Sequence, residues 1–236
     1  MPAEIKVMSA GAVEAMVRAL GADFERATGN KLNIVINTAG ALRERIKNGE
    51  AADLVILPPA ALDALDQPGM FVPGSRTDLG RTVTGVAVRD GAALPDISTP
   101  EAFRQALLNA RSVGYTDPKA GGSSGTFFAG LLDRLGIADE VNKKAVLGKR
   151  GVEVAQAVAD GRAEIGTTFI SEILTVKGVR LVGPLPGALH NANSYAAAIP
   201  AASSSRDAAL ALLRALTEPA SAARWSAAGL EPAFVR

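Results

Sequence analysis

Cysteine is absent from the chain and histidine occurs once, at His190. The first absence excludes disulfides, a thiolate nucleophile and thiolate-held metals; the second excludes any site built on two histidines. The acidic residues are scattered, without EF-hand spacing, so neither a metal nor a cofactor is expected. Aromatic residues make up 4% of the chain, too few for a base-stacking platform. Neither charge sign dominates: 25 Lys plus Arg against 24 Asp plus Glu leave a formal net charge of +1. Without a positive field to neutralise phosphates, no nucleic-acid partner is expected. Apolar stretches are broken by Gly, Pro and charges well short of the roughly 18 residues a spanning helix needs, so membrane insertion is not expected either. The start, Met1-Pro2-Ala3-Glu4-Ile5-Lys6-Val7, runs straight into strand-like sequence without the regions of an export signal. As it stands the sequence reads as cytoplasmic, and as periplasmic if a signal has been trimmed away.

What is present is a chain of 236 residues with 48% hydrophobic content. That is enough for one large domain or two small ones around an Ala/Val/Leu core. Short β-rich runs alternate with helical periodicity, the pattern of an α/β protein with mainly parallel sheets. Strands are predicted at residues 5–8, 32–36, 54–57, 83–88, 113–115, 165–169, 179–182 and 196–199. Helices are predicted at residues 13–28, 41–48, 60–65, 100–110, 126–135, 152–160, 206–217 and 220–228. Thr99 is the natural N-cap for the fourth helix. The lone His190 lies in a polar loop and reads as a structural or surface residue.

Three strand-to-helix junctions carry small, polar, glycine-containing turns. They are Ser9-Ala10-Gly11-Ala12, Thr38-Ala39-Gly40-Ala41 and Gly121-Gly122-Ser123-Ser124-Gly125-Thr126. Glycine admits close backbone approach, and the exposed N–H groups of a helix start favour an anion. Such junctions lie at the carboxyl ends of strands, where open α/β folds bind ligands. A capped helix start is the plainer account of any one of them; three together point to an anion site. None has nucleotide-loop spacing. Glu172, just after a strand, is a candidate cleft carboxylate or general base, with a solvated surface acid as the plainer reading. Arg43 and Lys149-Arg150 sit at helix starts, where either could pair with a carboxylate, with solvated charges as the plainer reading.

The same residues carry a resemblance. Phe24-Glu25-Arg26-Ala27-Thr28-Gly29, Thr38-Ala39-Gly40-Ala41-Leu42, Asn48-Gly49-Glu50-Ala51-Ala52-Asp53-Leu54-Val55-Ile56 and Ala159-Asp160-Gly161-Arg162-Ala163-Glu164-Ile165-Gly166 resemble type 2 periplasmic binding proteins of the molybdate-binding group. Asp117-Pro118-Lys119-Ala120-Gly121-Gly122-Ser123-Ser124-Gly125 and Ser171-Glu172-Ile173-Leu174 resemble the branch that includes aconitate isomerase. The resemblance implies two α/β lobes, residues 1–81 with 195–236 and residues 82–194, holding a ligand in an interlobe cleft. Donors would be Ser9, Ala10 and Gly11 with Thr38, Ala39 and Gly40 from one lobe. Gly122, Ser123, Ser124, Gly125 and Thr126 would face them, with Phe169 as an apolar wall. Gly11, Ala39 and Phe169 stand where metalate binders usually present hydroxyls, which implies a larger organic anion. The expected function is therefore a monomeric solute-binding protein for a small organic carboxylate, with an ABC transporter permease as partner if exported. Two alternatives stay open. One is a cofactor-free isomerase of an unsaturated tricarboxylate such as aconitate, with Glu172 or Lys119 carrying the proton. The other is a molybdate or tungstate receptor using backbone donors.

Overall fold

The computed structural model describes residues 2–235. It begins β1 (Glu4–Ala10), α1 (Glu14–Thr28), β2 (Lys31–Asn37), α2 (Ala39–Lys47), β3 (Leu54–Leu57), α3 (Pro59–Asp63) and β4 (Thr77–Arg89). Next come α4 (Pro100–Asn109), β5 (Val113–Thr116), α5 (Ser123–Arg134), α6 (Ala138–Asn142), β6 (Ala145–Gly148), α7 (Gly151–Ala159), β7 (Ile165–Phe169), α8 (Ile170–Ile173) and β8 (Val179–Pro184). The chain closes with β9 (Ala192–Ala198), α9 (Arg206–Leu216), α10 (Ala222–Ala227) and β10 (Glu231–Pro232). It divides into two compact units, one reaching Arg81 and resuming at Asn193, the other spanning Thr82–Ala192. The chain therefore passes between units twice, within β4 and near the start of β9.

In the first unit β1 pairs in parallel with both β2 and β3, and β3 pairs antiparallel with β9. The apolar run Leu54 to Leu57 is buried throughout, as expected of a strand covered on both faces. α1 turns Met16, Val17, Leu20 and Phe24 inward at helical spacing, and packs against α9. Trp225 on α10 is fully buried and donates its indole N–H to the Leu216 carbonyl at 3.0 Å. The polar anchor of this unit is buried Asp53. Its carboxylate accepts from the Lys6 N–H, the Ser203 hydroxyl and the Ser205 N–H.

In the second unit β5 pairs in parallel with β6 and β7, while β4 runs antiparallel to β7 and β8. Its core gathers Phe103, Leu107, Val113, Tyr115, Phe128, Leu131, Leu132, Ile137 and Val141 from β5 and the helices around it. The strand at 145–148 and the short helices at 138–142 and 170–173 are additions to the sequence expectation. Two expected helices also start two or more residues earlier than predicted: α5 at Ser123 and α2 at Ala39. Residues 123–125 are thus helical first-turn residues and not a loop.

Candidate functional site

At the carboxyl edge of the first unit's sheet, register sets two junctions side by side. Ala10 lies opposite Asn37, and Ser9 opposite both Ile36 and Ile56, so β1 and β2 end level with each other. Ser9 is fully buried, and its hydroxyl donates to the Ala10 carbonyl at 3.2 Å. Ala10 is extended and leads into a single 3₁₀ turn, Gly11–Val13, before α1. Thr38 is the N-cap of α2, its hydroxyl accepting from the Ala41 N–H at 3.3 Å. Ala39 and Gly40 form the first turn, where backbone N–H groups have no partner inside the helix. What this edge presents is therefore mainly backbone.

The second unit's edge is chemically richer. Thr116 at the end of β5 lies level with Gly148 at the end of β6, and the Asp117 N–H donates to the Gly148 carbonyl at 2.8 Å. Tyr115 is level with Thr167 on β7. The starts of α5, α7 and α8 therefore adjoin. After β5 the Asp117 carboxylate accepts from the Lys119 N–H at 2.9 Å, turning the chain into Gly122, the N-cap of α5. The Lys119 side chain belongs to an exposed residue. The Ser124 hydroxyl is buried and donates to the Thr116 hydroxyl at 3.2 Å, and the Thr126 hydroxyl donates back to the Gly122 carbonyl at 3.2 Å. Only glycine fits at 125: a Cβ there would stand 2.3 Å from the Thr116 carbonyl oxygen.

Glu172 overturns the surface-acid reading, being 7% exposed. It is the third residue of α8, and its carboxylate reaches back to the N-cap Phe169 N–H in the manner of a capping box. It also accepts from the Thr168 hydroxyl at 2.7 Å and from the Gly151 N–H that opens α7. One carboxylate thus ties two helix starts together. A Cβ at Gly151 would stand 1.9 Å from Glu172 Oε2, so glycine is what lets α7 approach. Burial pushes the Glu172 carboxyl up to about 7, against the opposing pull of these donors and of the Arg150 charge. Phe169 is 3% exposed at the end of β7, opposite Thr84 on β4.

Three buried hydroxyls in this unit have no hydrogen-bond partner: Thr84, Thr167 and Ser171. An unsatisfied buried hydroxyl costs about 1–3 kcal/mol, so each calls for an explanation. Thr84 faces Phe169 across the ladder, Thr167 precedes it by two residues on the same face, and Ser171 follows it on α8.

The structure thus gathers Ser9, Ala10, Gly11, Thr38, Ala39 and Gly40 at one unit's edge. It gathers Gly122 to Thr126, Phe169 and Glu172 at the other's. Sequence reasoning missed Thr84, Thr167 and Ser171; for Arg150 it weighed a carboxylate partner against a solvated charge, and the side chain is partly exposed beside the Glu153 carboxylate. Gly148-Lys149-Arg150-Gly151 is a fourth glycine-containing strand-to-helix junction, hidden because β6 lacks the fully buried apolar run of the equally short β3 and β5. No cluster of His, Asp or Glu suited to a metal occurs among the described residues. Nor is any helix there long and apolar enough to cross a membrane.

Residues 5–231 match the family model described as bacterial extracellular solute-binding protein. The chain belongs to that family. An aconitate isomerase from Pseudomonas sp is 33% identical over 234 residues, covering 97% of this chain and 87% of that protein. The molybdate-binding protein ModA of Azotobacter vinelandii is 25% identical over 180 residues, 72% of this chain and 66% of that one. Among solved structures, the periplasmic molybdate-binding protein of Azotobacter vinelandii superposes with a TM-score of 0.74 at 21% identity, covering 96% of this chain and 98% of that chain. That likeness establishes the two-lobed α/β fold.

Proposed function

We propose that this solute-binding protein takes a small organic carboxylate, with the backbone donors of residues 9–11 and 38–40 in one unit and the first turn of α5 in the other as candidate anion-binding elements. The observation that carries this reading is the neighbourhood of Phe169. A buried aromatic ring ends β7 beside the hydroxyl-bearing start of α5, pairing an apolar wall with anion donors. A tetrahedral metalate has no carbon to set against such a wall, whereas an alkyl or alkenyl acid has. The 33% identical aconitate isomerase supports an unsaturated tricarboxylate as the ligand class.

A second reading has one observation in its favour. Glu172 is a buried carboxyl held near neutrality, the condition for a proton carrier at physiological pH. On that reading the chain is a cofactor-free isomerase that moves a proton across an allylic system, its helix-start donors stabilising developing enolate charge. The receptor reading carries an ABC transporter permease as partner and a periplasmic location; the isomerase reading needs neither. Calorimetric titration with molybdate, tungstate, citrate, cis-aconitate and trans-aconitate tests the first reading. An acid ranking first is expected, and submicromolar molybdate affinity with no response to the acids would overturn it. Incubating the same samples with trans-aconitate and following the ultraviolet and proton spectra separates receptor from enzyme.

A further inference from the structure

We infer that Glu172 couples anion binding to a proton: the chain takes one up at this side chain when a carboxylate settles at the start of α5. The inference rests on the carboxylate reading above and adds the regulation of that site by pH.

Glu172 sits where α7 and α8 begin, its carboxylate accepting from the Gly151 and Phe169 N–H groups. Those helices follow β6 and β7, and β5 lies between the two strands. α5 follows β5, which runs roughly 4.8 Å from each flanking strand. An anion at the start of α5 is therefore close to the buried carboxylate, with protein between them, where like charges repel with little screening.

The hydrogen-bond shell of Glu172 serves both protonation states. The two N–H groups only donate, which suits a carboxylate. The Thr168 hydroxyl, 2.7 Å from Oε2, is a rotor that donates to the charged group and turns to accept from the neutral one. Burial works for the neutral form, since the residue is 7% exposed. With these tendencies opposed, one more negative charge nearby draws a proton in.

Few other charges bear on the group. At the start of α7 Arg150 favours the ionised form, and Glu153 is engaged with Arg150 and with the Lys149 N–H. β7 carries no charged residue, while Lys177 and Arg180, at and before the start of β8, are exposed. All of these are present with or without ligand, and with them burial holds the Glu172 carboxyl at about 7. A bound anion moves it higher still. Affinity is therefore greatest below about pH 7 and declines as pH rises through the interval between the free and liganded values.

The test is calorimetric titration of the full chain with fumarate, which is fully ionised above about pH 6. It is run near pH 6 and pH 8.5, and near pH 7 in two buffers of different ionisation heat. Affinity is expected to fall about 3- to 10-fold between the outer values, with proton uptake near pH 7. Glu172→Gln should abolish both effects. Thr168→Val, which removes a bond to the charged form, should move the transition to higher pH. Thermal unfolding confirms that each variant is folded. The series is repeated with trans-aconitate, whose own ionisation is removed by subtracting the Glu172→Gln result. Binding with no proton uptake and equal affinity at both outer values would overturn the inference alone. So would a folded Glu172→Gln variant that keeps the dependence, or a folded Thr168→Val variant that leaves the transition in place. An unsubstituted chain that binds neither acid would overturn the carboxylate reading, and the inference with it.

Discussion

The two strand edges are built alike and equipped differently. In the first unit the hydroxyls are absorbed by the fold: Ser9 donates to the next carbonyl and Thr38 caps α2. The second unit has a buried carboxylate joining two helix starts, an arginine at a third strand end, and three buried hydroxyls without partners. A parallel sheet with helix starts at its carboxyl edge supplies generic anion affinity through backbone N–H groups. Discrimination among anions needs side chains of particular reach and charge, and these are concentrated in one unit.

The sharpest way to break this comparison is steric. Gly125→Ala drives a Cβ to 2.3 Å from a backbone carbonyl in the second unit, whereas Gly21→Ala in the first meets only the Leu32 side-chain tip at 2.7 Å. Backbone cannot yield as a rotamer can, so Gly125→Ala should cost about 3 kcal/mol or more and Gly21→Ala about 1 kcal/mol or less. Urea unfolding measures both, and equal costs would contradict the view that α5 lies against unyielding backbone where α1 lies against side chains.

Next in size is Glu172. Its carboxyl titrates near 7 in the folded chain against 4.5 as an ordinary group. Between those values the folded chain keeps a proton that the unfolded chain has released. Stability from this group is therefore fully present below about pH 4.5 and is lost as pH rises through 7, by roughly 3 kcal/mol. Chemical unfolding near pH 5 and pH 8 should show that loss, and Glu172→Gln should flatten it. A variant with an unchanged pH slope would mean that Glu172 is ionised throughout.

Replacing both Ser123 and Ser124 with Ala should weaken carboxylate binding by about 1–3 kcal/mol, the value of one charge-assisted bond, since the Ser124 hydroxyl already donates to Thr116. Calorimetry on the double variant reads this, and unchanged affinity would reduce the start of α5 to a structural cap. The smallest expected effect lies in the first unit: Thr38→Ala removes the α2 cap and should cost about 1 kcal/mol of stability. Thermal unfolding detects it.

Much of the architecture was legible because hydrophobic periodicity is local. The strand at 54–57 and the helix starting at Pro100 after Thr99 stand where pattern and cap chemistry placed them. The strand β6 escaped because Ala145 to Gly148 lacks the buried apolar run of the equally short β3 and β5, with Leu147 exposed, and with it went the junction that holds Arg150. At the site, the three glycine-containing turns announced themselves through composition. The fates of their hydroxyls did not, since Ser124 bonds to Thr116 eight residues away and Thr126 turns back to Gly122.

Sequence alone determined the α/β alternation, the membership of the family and the positions of three anion-favouring helix starts. These follow from side-chain period, turn chemistry and composition, all of which act between near neighbours along the chain. Only the tertiary structure decided what Glu172 is. Three residues upstream it finds the Phe169 N–H, but the Gly151 N–H that completes its shell comes from another helix, brought there by the parallel pairing of β5 with β6 and β7. Burial and hydrogen bonding set a carboxyl's charge, and both depend on neighbours distant in sequence.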